Sequence, residues 1–119
     1  MMKPVNEFNE YRTRMNEKIL GSDNKILKRL FNLDTNAFQD SDLDSSTKEM
    51  IGLACSMVWR CDDCVKYLLE KCYESGISKS RIMEVLSIAN LIGGTIVIPH
   101  LRRAVEYCES LENNVQERS

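Results

Sequence analysis

Cys61-Asp62-Asp63-Cys64 is the one cysteine pair in the chain whose spacing allows joint chemistry. Asp62 and Asp63 suit the first turn of a helix, so the pair stands at a helix start. Residues three apart on a helix share a face, with Cβ atoms roughly 5–6 Å apart. A slight local adjustment brings two such thiols to disulfide geometry. The partial positive charge of a helix N-terminus stabilises a thiolate. Arg60 adds to that field, and the two aspartates oppose it. Three readings fit the pair: a redox couple, half of a metal site, or two inert thiols. A thioredoxin-like couple needs a βαβ surround, which this chain lacks. Zinc needs two further ligands. The candidates are Cys55, Cys72, Cys108 and His100, and none of them forms a second close pair. No metal and no cofactor is expected.

Other residues bear on the same chemistry. Ser46-Thr47-Lys48-Glu49 has the capping-box pattern, with Ser46 as cap and Glu49 three residues later. His100 is the only histidine, and Arg102 and Arg103 follow it. It is the only imidazole that could serve as a base, and its plainer role is capping or interface packing. Leu68 and Leu69 read as core. Cys55, Cys72 and Cys108 read as small buried hydrophobes. Cys72 lies two turns beyond Cys64, and roughly 12 Å of helical rise forbids a direct bond within one helix. Trp59 walls a pocket or joins the core or an interface.

The elements that must hold these residues are helical. Two prolines and five glycines in 119 residues are too few for a turn-rich β fold. Apolar spacing predicts a first helix from Pro4 to Leu20, through Phe8, Tyr11, Met15 and Ile19. A short second helix follows a cap at Ser22 or Asp23 and carries Ile26, Leu27, Leu30 and Phe31. Asp34 to Asp44 reads as a solvated acidic loop, since it lacks the central Gly and terminal Glu of a calcium-binding loop. The third helix opens at Ser46. Its apolar set (Met50, Ile51, Leu53, Ala54, Met57, Val58) predicts a buried central element. A fourth helix bears Val65, Leu68, Leu69 and Cys72 and ends at Gly76. Ser78 caps a fifth, with Ile77 and Ile82 as a hydrophobic staple. Gly93-Gly94 breaks the chain, and Thr95 to Ile98 is the only β-like run. Pro99 enters a last helix through Leu101, Ala104, Val105, Cys108 and Leu111, and the polar tail from Glu112 is expected to fray. The fold class is all-α, about six helices in a single domain over residues 1–119.

Composition narrows the partners. Sixteen basic and eighteen acidic residues leave a net charge of -2, without the basic excess of a nucleic-acid binder. The most apolar stretch, Leu91 to Ile98, is far short of the ~20 residues of a membrane span. Met1 to Glu10 has no apolar signal-peptide region, and five cysteines is an odd number that suits no secreted disulfide framework. A cytoplasmic protein is expected, with no nucleic-acid and no membrane partner.

Taken in order, Lys48-Glu49-Met50-Ile51-Gly52-Leu53-Ala54, Cys61-x-x-Cys64, Gly76-Ile77-Ser78, Ile82-Met83-Glu84-Val85-Leu86 and Gly93-Gly94 resemble the carboxymuconolactone decarboxylase and alkylhydroperoxidase D superfamily. The family core spans about 46–111, preceded by N-terminal helices over 4–33. The resemblance implies an all-helical fold assembled as a trimer or hexamer. It implies a thiol peroxidase or disulfide oxidoreductase acting on peroxides or protein disulfides, with a dithiol or protein-thiol reductant. Cys64 matches the nucleophile that becomes a sulfenic acid, Cys61 the resolving cysteine, and Glu49 the proton-relay glutamate. The family's relay histidine falls at Leu68, which carries no proton. His100 is the only available substitute. Two alternatives stand beside this reading: a redox-inactive oligomeric scaffold or binding module, and a lactone decarboxylase using Arg102 or Arg103 to hold a carboxylate.

Overall fold

A computed structural model describes residues 3–118, with side-chain surroundings for 4–113. Six α-helices follow one another: α1 (Lys3–Leu20), α2 (Lys25–Ala37), α3 (Ser45–Val58), α4 (Asp62–Glu74), α5 (Lys79–Gly93) and α6 (Ile98–Arg118). A 3₁₀ turn, Thr95–Val97, joins α5 to α6. The all-α expectation holds. The β-like run is that turn, because Gly94 at φ 83° redirects the chain just before it. The helix α6 runs on to Arg118, past the point where fraying was expected.

The core sits where α3 packs on α4 and α5, and α4 packs on α6. Leu53 and Met57 of α3, Leu69 and Cys72 of α4, and Ile82 and Leu86 of α5 are fully buried there. Cys108 and Leu111 of α6 and Val5 of α1 complete it. At about 1.5–3 kcal/mol for each fully buried aliphatic side chain, this cluster holds the bundle together. Two helices differ from expectation. In α3, Ile51 (48% exposed) and Val58 (38%) face outward, because α4 and α5 cover only two sides of it. In α2 no residue is buried, although Ile26, Leu30 and Leu33 line one side.

The helix boundaries correct three sequence expectations. The cap of α2 is Asn24, which accepts from the Leu27 N–H, not Ser22 or Asp23. The acidic stretch is partly helical, since α2 continues to Ala37. The cap of α3 is Asp44, whose carboxylate accepts from the Thr47 N–H at 2.8 Å, and Asp40 accepts from the Ser45 N–H at 2.6 Å. Ser46 lies inside the helix, so no capping box forms. A carboxylate two residues earlier meets the positive helix end better than a neutral hydroxyl. Hydrogen bonds from Thr47 hold the Asp44 carboxyl below its usual range. The cap at Ser78 and the Ile77–Ile82 staple form as expected, with both isoleucines buried.

Candidate redox site at the start of helix α4

The turn between α3 and α4 sets the site. Arg60 N–H donates to the Met57 carbonyl and Cys61 N–H to the Ser56 carbonyl, both at 3.0 Å. These are the paired bonds of a Schellman motif. Its left-handed position is held by Arg60 at φ 61° rather than by a glycine. That conformation costs a non-glycine residue about 1–2 kcal/mol. The same motif closes α4 with Gly76 at φ 76°, where Ile77 N–H donates to the Cys72 carbonyl. Between the two turns α4 runs back along α3. Gly52 permits their close approach: a Cβ there would lie 3.1 Å from Leu68 Cδ1.

Cys61 is the N-cap of α4, and its Sγ accepts from the Cys64 N–H at 3.3 Å. Cys61 and Cys64 are joined as a disulfide, their Cα atoms 5.3 Å apart. Cys61 is half-buried and Cys64 exposed. Cys64 opens onto a groove of about 670 Å³ between α1, α2, α3 and α4, walled by Phe8, Tyr11, Phe31, Phe38, Tyr67 and Leu68. Arg12 reaches over this groove and stacks its guanidinium on the Tyr67 ring, 4.1 Å from the centroid. A smaller hollow of about 220 Å³ is bordered by Cys55, Ser56, Trp59, Cys61 and Cys64. Trp59 therefore walls a surface hollow and belongs to no core, at 83% exposure.

Asp62, the first helical residue after the cap, is clamped from α6. His100 Nδ1 lies 2.7 Å from Asp62 Oδ1, and Arg103 Nε donates to Oδ2 at 2.8 Å. A proton on Nδ1 satisfies the first bond. The 3.1 Å approach of Arg103 Nη2 to Nδ1 is then a contact of two donors held by one carboxylate. Burial raises the Asp62 pKa, but the bonds from His100 and Arg103 outweigh it and leave it below the usual range. The clamp offsets a negative charge that would otherwise oppose a thiolate in the same turn. His100 thus comes to the cysteine-bearing helix start, with its imidazole bonded to Asp62 and outside the sulfur-lined hollow. Arg103 is committed to Asp62, and Arg102 is exposed.

Glu49 lies deeper, 7% exposed, as the buried charged residue among those described. It accepts from Ser75 Oγ at 2.6 Å. Ser75 is eleven residues beyond Cys64, about 16 Å along α4. Leu68, 7% exposed, stands between the two and borders both the groove at Cys64 and a cavity of about 190 Å³ at Glu49. The fold places Glu49 and Cys64 on facing helices, and an apolar side chain fills the gap.

The other cysteines divide. Cys72 and Cys108 are buried. Burial first, then Glu49, pushes the Cys72 thiol up to about 12. Burial likewise raises Cys108 to about 11. Cys55 is exposed, against expectation, because α3 turns that face toward the hollow rather than the core. Among the described residues, no group of three or more His, Cys, Asp or Glu is placed to hold a metal ion. No helix among them is long and apolar enough to cross a membrane.

The all-helical fold and the cysteine pair at the head of α4 define the class. The sequence profile of the carboxymuconolactone decarboxylase family matches residues 24–107, and the chain belongs to that family. A solved family member from Thermotoga maritima, for which a part in an antioxidative response has been suggested, is 45% identical. It superposes with a TM-score of 0.89 over 93% of this chain and 94% of its own. A family member from Legionella pneumophila shares the fold at 23% identity and TM-score 0.64, over 91% of this chain and 90% of its own. An uncharacterised protein of Cupriavidus necator is 29% identical over 75 residues, 63% of this chain. That match spans 66% of the relative's length, just under two thirds.

Proposed function

We propose that the protein is a thiol-dependent oxidoreductase that reduces hydroperoxides or protein disulfides at Cys64 and Cys61. The observation that carries the reading is the pair itself: two cysteines bonded across the first turn of α4, with Cys64 open to an aromatic-walled groove. In the reaction, the Cys64 thiolate attacks a peroxide oxygen, the O–O bond breaks, and an alkoxide leaves and takes a proton. Cys64 is then a sulfenic acid. The Cys61 thiol attacks that sulfur and expels water, and the disulfide forms before over-oxidation. A dithiol supplies two electrons and two protons to reopen it, entering at Cys61. The suggested antioxidative role of the Thermotoga relative supports this assignment.

The proton step is the weak one. A positioned general base is worth about 10²–10⁴-fold. Leu68 occupies the place such a base would need, and Glu49 is turned to Ser75. The thiolate at Cys64 must rely on the helix N-terminus and on water, so turnover is slow. His100 acts through Asp62, holding the helix start rather than taking the proton from sulfur. A second reading, a redox-inactive scaffold, draws on Leu68 alone.

The whole chain acts as one domain and assembles with copies of itself as a trimer or hexamer. Leu91 (82% exposed), Ile92 (73%) and Ile96 (58%) form an apolar end at α5 that suits such a contact. A reducing cytoplasm suits buried cysteines that stay thiols. The test is hydroperoxide consumption with a dithiol reductant. The Cys64→Ser chain should lose it; a Cys64→Ser chain as fast as the parent overturns the reading.

A further inference from the structure

We propose that Cys55 is a third redox thiol of this site, able to take the bond from Cys61 and form a Cys55–Cys64 disulfide. The inference rests on the redox reading of the Cys61–Cys64 pair, and it adds a partner from a different helix. The three cysteines outside the pair are not equivalent. Cys72 and Cys108 are enclosed by the core, whereas Cys55 is exposed. The register of α3 against α4 decides where Cys55 points. Glu49 meets Ser75, and Gly52, one turn on along α3, meets Leu68, two turns back along α4. A further turn toward the hairpin brings Cys55 and Ser56 to the hollow that Cys61 and Cys64 also border. The Cys61 N–H bond to the Ser56 carbonyl closes the hairpin at that level. Cys55 and Cys64 both border the large groove and the small hollow, so the two residues share two open surfaces. Helix axes normally lie 8–10 Å apart, and the approach is closest where a glycine sits in the contact, as Gly52 does one turn away.

The chemistry has a direction. The Cys55 thiolate attacks Cys64 Sγ, a Cys55–Cys64 bond forms, and the Cys61–Cys64 bond breaks. The electron pair leaves on Cys61. No electron is gained or lost by the protein, and the proton from Cys55 passes to water or to Cys61. Cys61 is the favoured leaving group because its sulfur caps α4 and accepts the Cys64 N–H. Attack on Cys61 would instead expel Cys64, which caps nothing. The exchange leaves Cys61 free as a thiol at the helix head while the oxidising equivalent sits on α3. In a chain without Cys61, Cys55 would resolve a Cys64 sulfenic acid directly, releasing water.

The test uses the Cys61→Ser chain, since serine also caps helices well and should keep the fold. Fully reduced protein in excess is mixed with 5,5′-dithiobis(2-nitrobenzoate), which supplies the oxidising disulfide. Two thionitrobenzoate ions released per reagent, with a Cys55–Cys64 peptide in the non-reducing digest of monomeric chain, is the expected result. The Cys55→Ser/Cys61→Ser chain should stop at one, with the label on Cys64. A Cys61→Ser chain that also stops at one, or that joins two chains instead, overturns the proposal. The reagent needs no peroxidase activity. A parent chain inert to hydroperoxide, beside an intact Cys55–Cys64 bond here, therefore counts against the peroxidase reading alone.

Discussion

Replacing Leu68 with histidine should restore what the site lacks. Leu68 sits one turn beyond Cys64, so its Cβ lies roughly 5–6 Å from that of Cys64 on the same face. It also borders the cavity that holds Glu49. An imidazole there would face the thiol on one side and the buried carboxylate on the other, which would orient it as a base. The expected gain in the rate of Cys64 oxidation is about 10²–10⁴-fold. The cost is the partial burial of a polar ring at a position 7% exposed, about 1–3 kcal/mol of stability. The assay is rapid mixing of fully reduced Leu68→His and parent chains with an organic hydroperoxide, following thiol loss from pH 5 to 9. The variant's rate should climb as its imidazole gives up its proton, near pH 6.5 before local effects. A folded Leu68→His chain, verified by thermal melting, that stays within twofold of the parent at every pH refutes the relay argument.

Three further outcomes follow from the same geometry. Fully reduced native protein should give iodoacetamide access to Cys55, Cys61 and Cys64 and withhold Cys72 and Cys108 until denaturant is added. Burial pushes those two thiols up to about 12 and about 11, against about 8.5 in an unfolded chain. Their neutral forms therefore favour the fold fully below pH 8.5. That contribution fades as pH rises through roughly 9 to 12, seen as a falling urea midpoint. At the acid end, the lowered pKa of Asp62 gives stability that is present above about pH 3.9 and is lost as pH falls through the folded value. The Asp62→Asn chain, melted between pH 6 and 3, should start less stable than the parent and lose less on acidification; a parallel loss in both chains rejects the clamp.

Much of this was legible before any coordinates. Six helices followed from apolar spacing and rare breakers, and Ser78, Gly76 and Gly94 punctuated the chain where their chemistry predicts. The misreadings have local causes. Ser46 and Asp44 both look like caps, and sequence does not rank a hydroxyl against a carboxylate two residues earlier. The left-handed turn at Arg60 carries no glycine to announce it, yet it sets Cys61 against Ser56. The bond from Ser75 to Glu49 joins residues 26 apart in the chain, and no spacing rule reaches that far. Cys55 looked like core because cysteine is usually buried; its exposure depends on how α3 packs at the hollow, which residue type does not reveal. His100 stands out in the sequence as the lone imidazole, but its pairing with Asp62 depends on the path of α6.

The central claim is that Cys61 and Cys64 form a working redox couple, and peptide mapping tests it most directly. Fully reduced protein is treated with one equivalent of hydroperoxide, alkylated and digested without reductant. The account predicts loss of two thiols from the pair at the head of α4, recovered as a Cys61–Cys64 bond that a dithiol reopens. Five free thiols, reacting no faster than free cysteine, would contradict it.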